Sequence, residues 1–484
     1  MANRELKVIW GSVVLAAALA ASAFFAPTTS ITKTAPTPKP SPTKTAAPVD
    51  PTALTDVSQI FDVSRISDVH LDIPAASKKL LHNANYDKFV PATFQFTQGD
   101  KKSPVMQVCI KIKGTTSRYS IDTTYRYTSF RVKFACDTNH AKQTLLGLKS
   151  FALNAMTQDS SKIHEVFAYD TYRAMGIAAP RTGYTHLTLS KNVTHPDRGL
   201  YVIVEAIDDV FLGENFQDVT QHLYESNHNF TEITPTTVGK DVETDYHFKV
   251  KEGWKATPNR ADLRAFAKGI QASGKKFWDF LETNTNRDQL VMHFATDNFT
   301  GGWDTYSGPL KNNFFIRSDL AGKFTFIPWG VDNTWGENYF NDIPSKSWFK
   351  EYVAPIAYHD DFFFNVDATA TAFPGSFFIA HDSGVKDPSK WTNYQLSRGQ
   401  LFTKCLNYKP CATLYFQDLQ KLSDWATQTN LAKRMLDQGN VISKLTSDFS
   451  KAELKRTSAW VAKQQANVKK AIAKHCDSQI QNCN

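Results

Sequence analysis

The sequence predicts an α+β fold of two lobes, mainly strands first and mainly helices after. Three observations carry this. Residues from Val57 to Gly147 read as short alternating strands, helical periodicity sets in after Asp159 and dominates the C-terminal half, and no internal repeat interrupts the order. The expected boundaries are an N-lobe at about 57–208 and a C-lobe at about 209–484 within one domain of 53–484.

In the first lobe, Val105 to Lys113 alternates, with Val108, Ile110 and Ile112 on one face and Lys111 and Lys113 on the other. Ser129 to Phe134 repeats the pattern, with Phe130, Val132 and Phe134 opposite Arg131 and Lys133. Gly114 to Arg118 between them reads as a small polar turn. A hairpin that presents small residues and basic groups is suited to cover a phosphate, although a solvated basic face explains the same pattern. Asp159-Ser160 then caps a helix through Met175, with Ile163, Val166, Phe167 and Ala174 on its apolar stripe and a stop at Gly176. Glu165 lies opposite that stripe and is expected in solvent. Thr185–Leu189 and Gly199–Val204 form a strand pair that runs into Glu205-Ala206-Ile207-Asp208.

In the second lobe, residues 213–260 are polar and irregular, and helices are expected near 261–282 and 287–300. An aromatic-rich, loop-like region follows Trp335 to about 400. Helices occupy Leu414 to Lys474, the last one long and near Lys451–Lys474.

Composition sets the outer limits. The 484 residues are 42% hydrophobic and 21% charged, as in a globular chain, and the net charge of +8 is modest. No Lys/Arg block dominates, so nucleic acid is not an expected partner. Arg4 and Lys7 precede an uncharged apolar run from Val8 to Ala26 with small residues near its end, so residues 1–26 read as a secretory leader. The run also has the length of an anchor, since a span needs roughly 17–25 apolar residues. Export follows either way, with membrane contact only through this segment. Residues 27–52 are almost wholly Pro, Thr, Ser, Ala and Lys and read as a stiff spacer. All six cysteines lie beyond the spacer without a Cys-x-x-Cys, which favours disulfides over zinc. The simplest pairing is Cys109–Cys136, Cys405–Cys411 and Cys476–Cys483, although strict alternation puts Cys109 and Cys136 on unlike faces.

The chemistry concentrates between Trp303 and Gly336. Asp304 precedes an expected hairpin of Asn313–Arg317 and Lys323–Ile327, Asn312 and Asn313 open it, and Asp332 comes after it. A hairpin returns the chain to where it began, so these side chains are expected to converge. Convergent Asp and Asn oxygens suit Mg2+ or Mn2+, and phosphoryl transfer uses such a set. Turn-capping Asn and Asp beside core aromatics account for the same residue types. The chain has no His-Glu-x-x-His, Gly-x-Ser-x-Gly, Walker or Gly-x-Gly-x-x-Gly motif, which excludes those hydrolase and nucleotide-binding classes.

Residues from about 105 to 340 resemble the spore-coat-protein-H (CotH) kinase-like family, an atypical branch of the protein-kinase fold. The matching stretches are Gly114–Arg118 with Ser129–Phe134, Leu148–Ala155 with Asp159-Ser160-Ser161, and Gly199-Leu200-Tyr201 through Asp208. The last is Trp303-Asp304…Asn313-Phe314-Phe315…Ile327-Pro328-Trp329…Asp332…Gly336. The resemblance implies a two-lobed ATP-dependent protein kinase with a divalent metal and a protein or cell-surface acceptor. It implies Asp304 as the catalytic residue and Asn313, Asn312 and Asp332 as metal ligands. Lys133, Ser117 and Arg118 would contact nucleotide phosphates, and Glu205 would lie near the adenine. Glu165 stands where a partner of Lys133 would be. Many relatives read Trp-Asp-x-Asp where this chain has Trp329-Gly330-Val331-Asp332, so one carboxylate is missing. Scarce extracellular ATP leaves two other expectations, a surface structural or adhesive protein that keeps the fold, and a transferase of phosphate or nucleotide to a surface polymer.

Overall fold

A computed structural model of the chain describes residues 52–114, 118–122, 128–226, 232–238, 247–252, 260–302, 304–308, 311–336, 376–379, 392–395 and 398–479. The leader, nearly all of the spacer, Ser117, Trp303 and the Cys476–Cys483 pairing lie outside the described residues. Among the described residues no helix is long and apolar enough to cross a membrane.

The chain is α+β, with a mainly β N-terminal region and helices toward the C terminus. The first region holds β1 (Ser67–Asp72), α1 (Ala75–Leu81), β2 (Val90–Gln98), β3 (Lys101–Lys102), β4 (Met106–Ile112), β5 (Phe130–Lys133) and β6 (Ser150–Asn154). Then come α2 (His164–Ala174), β7 (Thr182–Leu189) and β8 (Asp197–Glu205). The strands run β1-β7-β8-β6-β5-β4-β2-β3, and β1 also pairs with β2, so the sheet closes into a barrel with β3 as an appendage. Every pairing is antiparallel except β1 with β7, which starts at Ser67 opposite Thr185. Alternate β-branched and aromatic residues fill the interior, among them Val69, Phe94, Ile110, Val132, Phe151 and Ile203. Phe94, Phe134 and Phe151 meet edge to face at 5.3–5.8 Å.

The outer face of the barrel carries Ala152, Tyr184, Val202 and Val204, which share a core with α2 and the helical half. The second region begins with α3 (Asp209–Asn215), β9 (Thr220–Ser226), α4 (Pro235–Val238) and β10 (Phe248–Glu252). It continues with α5 (Ala261–Gly269), α6 (Gly274–Asn284), α7 (Arg287–Thr300), β11 (Phe314–Asp319) and β12 (Phe324–Pro328). The hairpin β13 (Ser376–Ile379) and β14 (Thr392–Gln395) precedes α8 (Gln400–Leu406), α9 (Lys409–Gln428), α10 (Leu431–Ile442) and α11 (Lys451–Gln479). A four-stranded antiparallel sheet, β10-β9-β11-β12, lies among these helices. Helix α7 runs through the core: Asn286 caps its start by accepting from the Gln289 N–H, and Gly301 ends it in the left-handed conformation.

Several expectations change. The small polar turn expected at Gly114 to Arg118 lies mostly outside the described residues; after it, Ile121 is fully buried and donates its N–H to the Leu81 carbonyl. The helix expected from Asp159 starts at His164, because the Asp159 carboxylate caps the preceding turn, accepting the N–H groups of Ser161, Lys162 and His164. The stretch 261–282 is two helices. Cys109–Cys136 and Cys405–Cys411 are bonded. Alternation did not forbid the first, because β5 ends at Lys133 and the chain has turned before it reaches Cys136.

Candidate functional site

Phe314 pairs with Pro328 at the open end of the β11–β12 hairpin, so the chain leading into β11 lies beside the chain leaving β12. The Asp304 carbonyl accepts the Asn313 N–H at 2.8 Å. The Asn313 amide in turn donates to Asp304 Oδ2 at 2.6 Å and to the Gly330 carbonyl at 3.2 Å. The loop carrying Asp304 hangs from Asp297 at the end of α7. Asp297 accepts from Gly302 through its backbone oxygen (2.7 Å), from Ser307 through Oδ2 (3.1 Å) and from the Tyr172 hydroxyl through Oδ1.

Gly330 sits in the left-handed region at φ 55° and donates its N–H to the Tyr169 hydroxyl at 3.0 Å. A Cβ there would lie 2.8 Å from Asn313 Cγ and Nδ2. In this chain the Asn313 amide occupies the space that a side chain at 330 would need.

The Asp332 charge acts on Asp304. Burial, then the Asp332 charge, pushes the Asp304 carboxyl well above the usual carboxylate range, with the nearby Asn312 and Asn333 amides opposing. Burial also raises Asp332, while its own backbone N–H and Lys113 oppose. Asp304 Oδ1 and Asn333 Oδ1 are buried without a hydrogen-bond partner, and such orphaned acceptors are costly.

Facing this pair is a chain of polar groups that runs out to the barrel. Lys113, just past β4, donates to Asn154 Oδ1 and lies over the Trp329 ring at 5.6 Å. Asn154, at the end of β6, donates Nδ2 to both Glu165 oxygens at 2.8 Å. Glu165 is only 3% exposed, contrary to the expectation of a solvated side chain. Helix α2 lies between the barrel and the helical half and is buried nearly all round, so no face of it was left for solvent. Burial, then Asp332, pushes Glu165 up to about 7 against the pull of Lys113 and Asn154. Burial lowers Lys113, with Glu165 and Asp332 opposing.

The remaining candidates fall elsewhere. Lys133 is exposed at the end of β5, with Cys109 and Ser150 as its cross-strand neighbours. Glu205 pairs with the interior residue Phe151 and is buried in a fork with Arg181, which holds it through Nε at 3.0 Å and through Nη2. It therefore lies on the other side of the sheet from Asn154, whose partner on β8 is Val202. Arg118 donates to the Ala84 carbonyl at 2.7 Å and faces Asp87 at 3.5 Å. Lys113, Asn154 and Asn333 are the site residues that sequence reasoning missed. The signal for Lys113 was its place on the polar face of β4, but choosing it over Lys133 requires the strand register.

The segment after Asp332 is braced from behind. His164 Nδ1 lies 3.3 Å from the Asp332 carbonyl and its Nε2 lies 2.9 Å from the Thr457 hydroxyl of α11. Trp335, left-handed at φ 58°, donates its indole N–H to the His164 carbonyl and meets Trp460 edge to face. Trp460 also fills the space where Gly301 and Gly336 lack side chains. Lys162, Lys311 and Trp335 are non-glycine residues at positive φ on the loops of this region, a kind of strain that clusters at functional sites.

Among the described residues no three His, Cys, Asp or Glu side chains come together as a metal cluster. The oxygen set here is two carboxylates, Asp304 and Asp332, with the amide oxygens of Asn312, Asn313 and Asn333. This fits a small hard cation, which takes one or two carboxylates and completes its shell with water or phosphate oxygens. The two orphaned oxygens are the observation in favour.

Comparison with known proteins gives a family and a relative. The family model described as CotH kinase protein matches residues 110–362. Inner spore coat protein H of Bacillus subtilis (strain 168) is 23% identical over 252 residues, covering 50% of this chain and 65% of that protein. The match thus spans just under two thirds of the relative's length. Since the family model covers more than half of this chain's residues, from within β4 of the barrel to past the β11–β12 hairpin, the chain belongs to the CotH family.

Proposed function

We propose that this chain is an exported, surface-associated phosphotransferase of kinase-like, two-lobed architecture, which moves phosphate from ATP to a protein acceptor. The observation that carries the reading is the pair Asp304 and Asp332, held together in a buried site with Asn313 and faced by Lys113. Family membership and the leader-like residues 1–26 support it, as does the spore-coat name of the relative. In this reading Asp304 orients the acceptor hydroxyl and receives its proton, and Lys113 rather than Lys133 contacts the donor phosphates. Asp332, with Asn313 or Asn312 and Asn333, would hold Mg2+ or Mn2+. When bound, the ion would offset the charge of the phosphates and of the two aspartates. The unfavourable burial of Asp304 and Asp332 is what a cationic ligand would relieve.

The test is transfer of labelled phosphate from ATP, with Mg2+ or Mn2+, to the protein itself or to surface proteins, beside Asp304→Ala and Asp332→Ala. Transfer in the wild type that both variants lose is the expected result. No transfer and no nucleotide-dependent thermal shift would leave a surface binding protein on a kinase-like fold. Label that arrives as nucleotide instead of phosphate would point to a nucleotide transferase.

A further inference from the structure

We propose that Asn154 is a positioning residue, an amide relay that couples Lys113 to Glu165 and so aims the lysine at the Asp332 end of the site. The inference rests on the proposed function for its kinetic consequence but not for its structural one. In phosphotransferases of the kinase type the phosphate-contacting lysine is held by a direct ion pair with a glutamate of the adjacent helix. Here the glutamate is on α2 as that arrangement requires, yet Lys113 is joined to it through an amide. The strand position that faces the glutamate, on β6, is Asn154. The lysine comes from just beyond β4, two strands away in the sheet order β6-β5-β4.

An asparagine can bridge the gap because its amide has both polarities. Oδ1 accepts from the Lys113 ammonium while Nδ2 donates to both Glu165 oxygens at 2.8 Å. Neither an aspartate nor a leucine of similar size does both. Backbone pairing fixes the amide, because β6 pairs through Asn154 with Val202, and the next residue, Ala155, donates its N–H to the Ser129 hydroxyl at 3.0 Å. Ser129 also accepts the Lys113 N–H through its carbonyl at 2.9 Å. Lys113 and the residue that follows Asn154 are thus tied to one residue at β5's leading edge. Trp329 lies over the ammonium as well, and the Asp332 charge acts on it.

The test uses the full chain and two readouts. In the first, an amine-reactive reagent labels the folded protein at one pH and each lysine is read by peptide mass spectrometry. Asn154→Leu should raise labelling of Lys113 several-fold and leave Lys133 unchanged. This arm needs no catalysis, so it decides the relay even if the wild type transfers no phosphate. In the second, Asn154→Asp and Glu165→Gln should each lower kcat/KM for transfer by about tenfold or more. Combined, they restore an amide–carboxylate contact with its polarity reversed and keep the site's total charge, so the double variant should recover most of the loss. Unchanged Lys113 labelling in a folded Asn154→Leu protein, or a double variant no better than its singles, would overturn the proposal.

Discussion

The barrel interior and the seam between barrel and helices are both buried, but they are buried differently. Inside the barrel apolar rings and β-branched residues face one another, and burial stabilises each of them. In the seam Glu165, Asp304 and Asp332 are carboxyls that burial pushes toward their neutral forms, and nearby loops hold Met156, Lys162, Lys311 and Trp335 at positive φ. The barrel is built for stability, whereas the seam is built at its expense, as a binding site often is. Removal of a buried carboxyl in the seam should therefore act in the opposite sense to removal of an apolar ring in the barrel.

Removal of the Asp304 carboxylate gives the largest effect on activity, a loss of about 10²–10⁴-fold in phosphate transfer. Its thermal midpoint should stay level or rise, because an unmet buried oxygen goes with it. A midpoint that falls steeply would contradict the contrast. Phe94→Ala in the barrel should do the reverse, costing about 3–5 kcal/mol in denaturant unfolding and leaving kcat of the folded fraction near wild type. Removal of the Cys109–Cys136 bond, whose partners are 27 residues apart, should cost about 3.5 kcal/mol on the loop-entropy account.

Glu165→Gln sharpens the comparison through pH. The folded pKa of Glu165 is raised to about 7. Its contribution to stability is therefore present below its unfolded value and is lost as pH rises through 7, a loss of a few kcal/mol at most. The midpoint of the wild type should fall between about pH 4.5 and 7, and that of Glu165→Gln should fall less. Asp304 and Asp332 contribute to the remaining slope with Asp208, Glu232 and Asp418, all shifted in the same direction. An equal slope in both proteins would remove Glu165 from the seam's cost. Gly330→Ala, with a left-handed backbone and Asn313 in the way, should cost at least about 1 kcal/mol and weaken transfer. The smallest effect expected is from Lys133→Ala, within about 0.5 kcal/mol in stability and with less loss of transfer than Lys113→Ala.

The sequence disclosed what is local. The β11–β12 hairpin was legible because alternation and a short turn fix it, and with it the meeting of Asp304, Asn313 and Asp332. Closure of the barrel was not, since it depends on Ser67 lying beside Thr185, a pairing that alternation within either strand cannot reveal. Glu165 was misplaced for a related reason: a stripe analysis assumes that the side opposite the stripe meets water, and α2 has core on nearly every side. Lys113 and Lys133 look alike in sequence, both on basic faces of neighbouring strands. Only the register that sets Lys113 beside Ser129 and Asn154 separates them.

Trp460 has a consequence for timing. The residues matched by the family model end at 362, yet the wedge behind Gly301, Gly336 and Trp335 belongs to α11, some hundred positions later in the chain. During synthesis the barrel strands and the hairpin emerge well before this wedge. The backing of Asp332 is therefore completed only when the last long helix docks, and a protein cut at the edge of the matched segment would hold every residue of the site without the support that sets it.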